Sequence, residues 1–176
     1  MVASSKYFSR IERYFVPDDL FRTTLAALRR EGRDLVESTA YWAGSVSGDT
    51  ATITTIIVPI GPGVRMHRLQ VRVSDRLVAA IDAMLDPPYR VLLAQVHTHA
   101  GEAFHSAVDD AYGIDTLGFI SVVVPDFGRS ELAAFPRWSF NECVGAGRYR
   151  EMGRAEIASR FITSTRTTEV LQVHGH

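Results

Sequence analysis

The sequence has little cysteine, little excess charge and no long apolar run, and each shortage excludes a class of protein. Its 176 residues include one cysteine, Cys143. No internal disulfide can form, so a reducing, cytoplasmic setting is expected. The formal net charge is -1, which argues against bulk binding to nucleic acid or to an anionic membrane. No apolar stretch reaches the roughly 18 residues that a membrane span needs, and the N-terminal residues lack the pattern of a signal peptide.

The rest of the composition is ordinary for a globular domain, with 46% hydrophobic and 22% charged residues. We expect one domain over residues 1–176, with a core from about 17 to 162 and a polar, loosely held tail over 163–176. Periodicity and capping signals predict helices near residues 17–32, 74–85, 106–113 and 153–161. Apolar and β-branched runs predict strands at residues 37–46, 51–58, 65–73, 89–96, 119–124, 131–135 and 138–143. This order predicts a mixed α/β domain in which helices cover one sheet.

Several groups that bind metals or handle protons follow the nearly continuous apolar strand at residues 89–96. His97 and His99 are two residues apart, and alternate residues of an extended chain face the same side, so both imidazoles can bind one ion. Zinc commonly takes two histidines, one carboxylate and an open water position. Asp109, in the next predicted helix, is the candidate carboxylate.

Each of these signals also has an ordinary explanation. Two histidines in a loop are commonly just solvated. Ser106-Ala107-Val108-Asp109 has the form of a capping box, in which Ser106 is the N-cap and Asp109 supports the first turn. Because both signals occur in one window at the end of a buried strand, we favour a metal site over these two explanations.

The motif His97-Thr98-His99, followed by a short loop and Ser106-Ala107-Val108-Asp109, resembles the JAMM signature of the JAB/MPN metalloproteases. In that family an upstream glutamate opens an early strand and is followed by a glycine seven residues on. Glu37 and Gly44 have this spacing and precede a predicted hairpin. The resemblance extends over roughly residues 17–145 and implies the family's fold, a cytidine-deaminase-like domain with a mixed curved sheet flanked by helices.

The chain departs from the family pattern in two places. Ala100 replaces the usual proline, and the loop from His99 to Ser106 is one residue shorter than the commonest form. A strict count along the loop therefore reaches Asp110 instead of Asp109. We expect Asp109 to be the ligand, because Ser-x-x-Asp places both residues on one helical turn. Asp110 is the alternative ligand, or else an exposed acid favoured by the helix dipole.

The resemblance implies hydrolysis of an amide or isopeptide bond by water that one zinc ion per chain activates. His97, His99 and Asp109 would hold the zinc, which lowers the pKa of bound water to about 7. Glu37 would take up a proton and pass it to the leaving amine without binding the metal. Ser106 would donate a hydrogen bond to the oxyanion. Without the family match, an ordinary exposed strand residue would be an equally good interpretation of Glu37.

The resemblance also implies a protein substrate. Family members cut ubiquitin and ubiquitin-like proteins from lysines or from C-terminal fusions. The chain lacks the long insertions of eukaryotic members and is similar to minimal bacterial JAB proteins, which are often encoded beside E1-like and E2-like enzymes, some of them in anti-phage operons. We therefore expect a ubiquitin-like partner whose flexible C-terminal tail lies along a sheet edge as an added strand. Residues 61–63 and 126–128 are candidates to frame its groove.

Three other functions are open on the sequence alone. A non-catalytic MPN scaffold usually lacks a ligand or the glutamate, whereas every expected group is present here. A hydrolase that processes a sulfur-carrier protein would use the same site on another substrate. A metal hydrolase acting on nucleic acid is disfavoured by the near-neutral charge and by the lack of a basic stripe.

Overall fold

One mixed β-sheet forms the centre of the structure, a computed structural model that describes residues 11–87, 89–129 and 137–175. Over these ranges the elements in chain order are β1 (Arg13–Pro17), α1 (Leu20–Glu31), β2 (Thr39–Ser47), β3 (Thr50–Ile60), β4 (Val64–His67), β5 (Gln70–Val73), α2 (Asp75–Met84), β6 (Val91–Thr98), α3 (Ala107–Tyr112), β7 (Ile120–Val124), β8 (Ser139–Gly145), β9 (Arg148–Glu151), α4 (Arg154–Arg160), β10 (Phe161–Ser164) and β11 (Glu169–His174). A short turn, Asp126–Gly128, follows β7. None of these described helices is long and apolar enough to cross a membrane.

The order of the strands places β6 in the middle of the sheet. Of the described strands, eight follow the order β10-β1-β3-β2-β6-β7-β8-β9, and β11 pairs with the part of β3 that β1 does not cover. β2 is antiparallel to β3 and to β6, whereas β6 and β7 are parallel. The remaining strands, β4 and β5, form a separate antiparallel hairpin. The central position of β6 agrees with its continuous apolar sequence.

Apolar layers cover both faces of the sheet, as successive residues of β2 show. Trp42 packs into the core that contains the buried residues of α1, and its indole Nε1 donates to Thr24 Oγ1 at 2.9 Å. The neighbouring residues Tyr41 and Ala43 point to the other core, under α2. Helices therefore flank the sheet on both sides, and the predicted mixed α/β class is confirmed.

The structure differs from the sequence prediction in three regions. Residues 65–73, predicted as one strand, form the hairpin β4–β5 with its turn at Arg68 and Leu69. The tail at residues 163–176, predicted to be loosely held, supplies β11 and the end of β10, and these strands pair in parallel with β3 and β1. β1 and β9 have no counterpart in the prediction. The strand predicted at residues 131–135 lies outside the described residues.

A bulge in β2 brings the backbone of Gly44 against β3. The register of β2 against both neighbours shifts within residues 42–44. A Cβ on Gly44 would overlap the carbonyl oxygen of Thr52 and would lie 2.9 Å from Ile53 Cα. The two strands approach too closely at this point for any residue with a side chain.

We expect Gly44→Ala to lower the free energy of unfolding by about 2–3 kcal/mol, because two paired backbones must separate to admit a methyl group. Urea denaturation of the metal-free protein measures the change. Gly101→Ala is the control, since a Cβ there meets open space. Similar losses in both variants would contradict the steric explanation.

Candidate metal centre

The pairing of Ser38 with Thr98 places the predicted site residues on one side of the sheet. Ser38 N–H donates to Thr98 Oγ1 at 2.9 Å, and Thr98 N–H donates to the Ser38 carbonyl at 3.0 Å. Side chains alternate along both strands. The residues that flank this pair, Glu37 on one strand and His97 and His99 on the other, therefore face the opposite side together.

Two imidazoles and one carboxylate meet at the carboxyl end of β6. His97 Nε2 lies 3.3 Å from His99 Nε2 and 3.1 Å from Asp109 Oδ1, and His99 Nε2 lies 3.4 Å from Asp109 Oδ2. Burial acts to raise the pKa of Asp109, but hydrogen bonds with the two imidazoles outweigh it and hold this pKa far below its usual range. The carboxylate is ionised, as a metal ligand must be. In the described part of the chain, no other trio of His, Cys, Asp or Glu converges in this way.

The spacing of these atoms fits a tetrahedral metal ion. With bonds of about 2.0–2.1 Å, the ligand atoms of a tetrahedral zinc lie about 3.3–3.4 Å apart, because the edge of a tetrahedron is about 1.6 times the bond length. The 3.3 Å between the two Nε2 atoms and the 3.1 Å from His97 Nε2 to Asp109 Oδ1 are close to that edge, and His99 Nε2 lies 3.4 Å from the second carboxylate oxygen, Oδ2. Ring nitrogens and a carboxylate oxygen are also ligands that zinc prefers. The three groups can therefore hold a metal and leave one position for water or substrate.

Hydrogen bonds with Ser106 hold the carboxylate of Asp109 in place. At the N-cap of α3, Ser106 Oγ accepts from Asp109 N–H at 3.2 Å, while the Ser106 hydroxyl and N–H donate to Asp109 Oδ2 at 2.8 and 2.7 Å. One carboxylate oxygen is held by the cap, and Oδ1 is left near His97. The capping box and the metal site are therefore one arrangement. The oxyanion role of Ser106 stays a prediction, because its hydroxyl hydrogen here is directed at Asp109.

Asp110, the alternative ligand, contacts a different histidine. Its Oδ1 lies 3.3 Å from His105 Nδ1, and its side chain is 49% exposed. The His105 ring stacks on Tyr149 with centroids 4.4 Å apart, and burial lowers its pKa. Of the two aspartates, Asp109 is the one that the structure brings to the motif histidines, and His105 is a packed neighbour.

Glu37 is a buried carboxyl group beside this cluster. It is 5% exposed, and it lines a cavity of about 300 Å³ together with the motif histidines, Ser106 and Asp109. Burial raises the pKa of Glu37 to about 7, while His99 lowers it and Asp109 raises it by smaller amounts. A cation held by the three ligand groups would lower this pKa. Glu37 is thus a buried carboxyl group beside the ligand groups, in a position to accept and donate a proton there.

A left-handed turn after β7 supports the loop that follows His99. Asp126, Phe127 and Gly128 have φ between 53° and 67°, a conformation that costs about 1–2 kcal/mol for a residue with a side chain. Phe127 N–H donates to the His99 carbonyl at 2.8 Å. Arg29 of α1 donates to the Gly128 carbonyl at 2.6 Å. Sequence patterns do not predict this support, because its hydrogen bonds join residues far apart in the chain.

The hairpin β4–β5 and helix α3 form two walls of the cavity. Leu69 and Val71 contribute from the hairpin, and Val108 and Tyr112 contribute from α3. A second cavity of about 800 Å³ shares Val71 and Tyr112 and extends to α2. Residues 61–63 and 126–128, predicted to frame the groove, line neither cavity. The hairpin that residues 61–63 introduce forms the wall instead.

Known proteins are similar to this chain in sequence and in fold. Over 116 residues, which are 65% of this chain and 72% of the relative, the chain is 34% identical to a protein of Sinorhizobium fredii named "Probable metalloprotease y4jG". The solution structure of protein DSY2949 from Desulfitobacterium hafniense aligns with a TM-score of 0.55 and 15% identity, over 88% of this chain and 94% of that one. No protein-family model matches the chain.

We expect about one tightly bound zinc ion per chain, held through Asp109. Asp109→Ala removes a ligand and should weaken zinc binding by about 100-fold or more. Asp110→Ala, the matched control on the same helix, should bind zinc like the wild type. Elemental analysis after dialysis measures the ratio, with His174 and His176 replaced by glutamine to avoid stray binding. Equal zinc in wild type and Asp109→Ala would contradict the assignment.

In the metal-free protein, Glu37 should make stability depend on pH. Its pKa is about 7 in the folded chain against 4.5 when exposed. The folded state therefore favours the protonated form, and this stabilisation is complete below about pH 4 and lost as the pH rises through 7. The difference in unfolding free energy between Glu37→Gln and the wild type should therefore depend on pH. We expect it to favour the variant by about 1–3 kcal/mol more at pH 8 than at pH 4. Urea denaturation in the presence of a chelator measures this difference at each pH. Equal differences at pH 4 and pH 8 would contradict the raised pKa of Glu37.

Proposed function

The chain belongs to the family of the rhizobial probable metalloprotease, and on this premise we propose that it is a zinc peptidase of the JAMM type. Its substrate in this proposal is the amide bond at the C-terminus of a ubiquitin-like protein, in a conjugate or a precursor. The observation that carries the proposal is the 3.1–3.4 Å spacing among His97, His99 and Asp109. Family membership supports the proteolytic reaction, and the JAMM-like motif supports the metal, the subtype and the substrate.

In the proposed mechanism of amide hydrolysis, three residues bind the metal and Glu37 transfers the proton. When bound, zinc would supply Lewis acidity that polarises a carbonyl and makes water reactive near neutral pH. His97, His99 and Asp109 would hold it. A Glu37 carboxylate oxygen accepts the proton of the attacking water and then gives it to the leaving nitrogen. Its burial beside the three ligand groups suits a group that must do both.

Ser106 has two candidate roles in this mechanism. The first is the positioning of Asp109, which its three hydrogen bonds already perform. The second is donation to the oxyanion of the tetrahedral intermediate, as the family resemblance implies. A serine has one hydroxyl hydrogen, so the second role requires the hydroxyl to rotate away from Asp109 Oδ2.

The shape of the groove supports an extended polypeptide tail as substrate. In the described residues, β5 pairs with β4 and with no other strand, so its outer edge is a candidate for an added strand. The cavity at the ligands and the second cavity share Val71 and Tyr112 and therefore lie side by side. We propose that the chain acts in a bacterial ubiquitin-like conjugation system of the kind found in some anti-phage operons, with E1-like and E2-like partners. A sulfur-carrier precursor is the alternative substrate.

We expect Glu37→Gln to lower kcat by about 10²–10⁴-fold while zinc content is unchanged, because proton transfer is lost and the ligands are kept. Mass spectrometry of cleavage products from C-terminal fusions of ubiquitin-like and sulfur-carrier proteins measures the rates. Glu31→Gln, at the end of α1 outside the cavity, is the control. A Glu37→Gln enzyme as fast as wild type, or cleavage that persists without zinc, would refute the mechanism.

The same assay separates the two roles of Ser106. If Ser106 only positions Asp109, Ser106→Ala should bind zinc more weakly and regain its rate when zinc is saturating. If its hydroxyl also donates to the oxyanion, kcat should stay about 10²-fold or more below wild type with zinc fully bound.

A further inference from the structure

The hairpin β4–β5 carries its charges on one face. Arg65 lies directly opposite Arg72, and His67 lies opposite Gln70. Directly opposed residues share a face of a two-stranded sheet, so these four polar side chains lie together. The other face is apolar and consists of Val64, Met66, Val71 and Val73.

The arginines of this hairpin are not neutralised within the fold. In the described residues, no carboxylate forms an ion pair with Arg65, Arg68 or Arg72. The contact that Arg72 makes is with the ring of Tyr112, 3.6 Å from its guanidinium carbon. Like charges directly opposite each other destabilise a hairpin, and a two-stranded hairpin is marginally stable at best. The paired arginines therefore weaken the element that carries them, which points to a role in binding.

The hairpin is joined directly to the candidate metal centre. The His67 carbonyl accepts from Glu37 N–H at 2.8 Å. Leu69 and Val71 line the cavity that contains the three ligand groups. Leu69, at the turn beside Arg68, is 78% exposed. A molecule held on this hairpin would thus lie next to the residues proposed to cut it.

We propose that the cationic hairpin surface, formed by Arg65, His67, Arg68 and Arg72, binds an acidic segment of the protein that is cut at the metal centre. This inference rests on the proposed peptidase function. Guanidinium groups donate paired hydrogen bonds to carboxylates, and the exposed Leu69 adds an apolar contact that suits a protein surface. Nucleic acid fits less well, because the net charge of the chain is -1.

The binding experiment uses the full chain and two labelled peptides, one rich in glutamate and one with every glutamate replaced by glutamine. Fluorescence anisotropy measures both affinities. Arg65→Gln/Arg68→Gln should weaken binding of the glutamate peptide by about fivefold or more. The control Arg148→Gln/Arg166→Gln removes the same charge from exposed arginines elsewhere and should change it less than about twofold. The glutamine peptide should bind wild type more weakly.

Loss of binding in the hairpin variant does not require unfolding. Arg65→Gln relieves the repulsion with Arg72, so the thermal midpoint of the variant should not fall below that of the wild type. Equal losses in the hairpin and control variants would overturn the proposal in favour of net charge alone. If the glutamate peptide still binds the hairpin variant but is released by a chelator, its carboxylates bind the metal ion instead of the arginines. That result would also overturn the proposal.

Two further experiments, DNA binding and cleavage of fusion proteins, test the role of the hairpin surface separately from the proposed peptidase function. Single-stranded DNA of the same charge that binds more tightly than the glutamate peptide would assign the surface to nucleic acid and overturn the proposal. Selective peptide binding without cleavage of any fusion would support the surface and refute the peptidase. Cleavage of an acidic fusion with the same KM in wild type and Arg65→Gln/Arg68→Gln would support the peptidase function. It would refute a role of the cationic hairpin surface in binding the substrate.

Discussion

The pairing of Ser38 with Thr98 is the constraint on which the candidate metal centre depends. Two hydrogen bonds join these residues across the strands, and Ser38 Oγ donates to a carbonyl of α1, so the pair is fixed on the α1 side. Strict alternation then places Glu37, His97 and His99 on the opposite side. A slip of one residue would turn the two histidines away from Glu37. The register of two strands therefore determines which groups can act together.

The parts of the site that the sequence predicts are those that a few neighbouring residues determine. Alternation along a strand is enough to bring His97 and His99 together, and one helical turn is enough to join Ser106 to Asp109. The sequence presents the cap and the ligand as alternatives, whereas the structure has both because the cap uses one carboxylate oxygen and leaves the other. The burial of Glu37 has no local signal, so its role could be inferred from the family resemblance alone.

The parts that the sequence does not predict depend on distant contacts or on a turn without the usual residues. The hairpin β4–β5 reverses at Arg68 and Leu69, with no glycine, asparagine or proline to mark the turn, so its pattern reads as one strand. None of the residues of β10 and β11 is fully buried, because both strands lie at the outside of the sheet, and neither strand has the continuous apolar run that marks a central strand. They pair in parallel with β1 and β3, and a parallel partner distant in sequence leaves no pattern in either segment.

The concentration of charge at the metal centre also has consequences for stability. Asp109 is ionised, and the pKa of Glu37 in the same cavity is raised mainly by burial and, by a smaller amount, by the Asp109 carboxylate. A cation at the ligand groups would pair with Asp109 and lower the pKa of Glu37, so metal binding changes the protonation of the residue proposed to move protons. An ion that binds the folded chain alone also stabilises it. The His67 carbonyl accepts from Glu37 N–H, so the hairpin β4–β5 and the three ligand groups are both next to this residue.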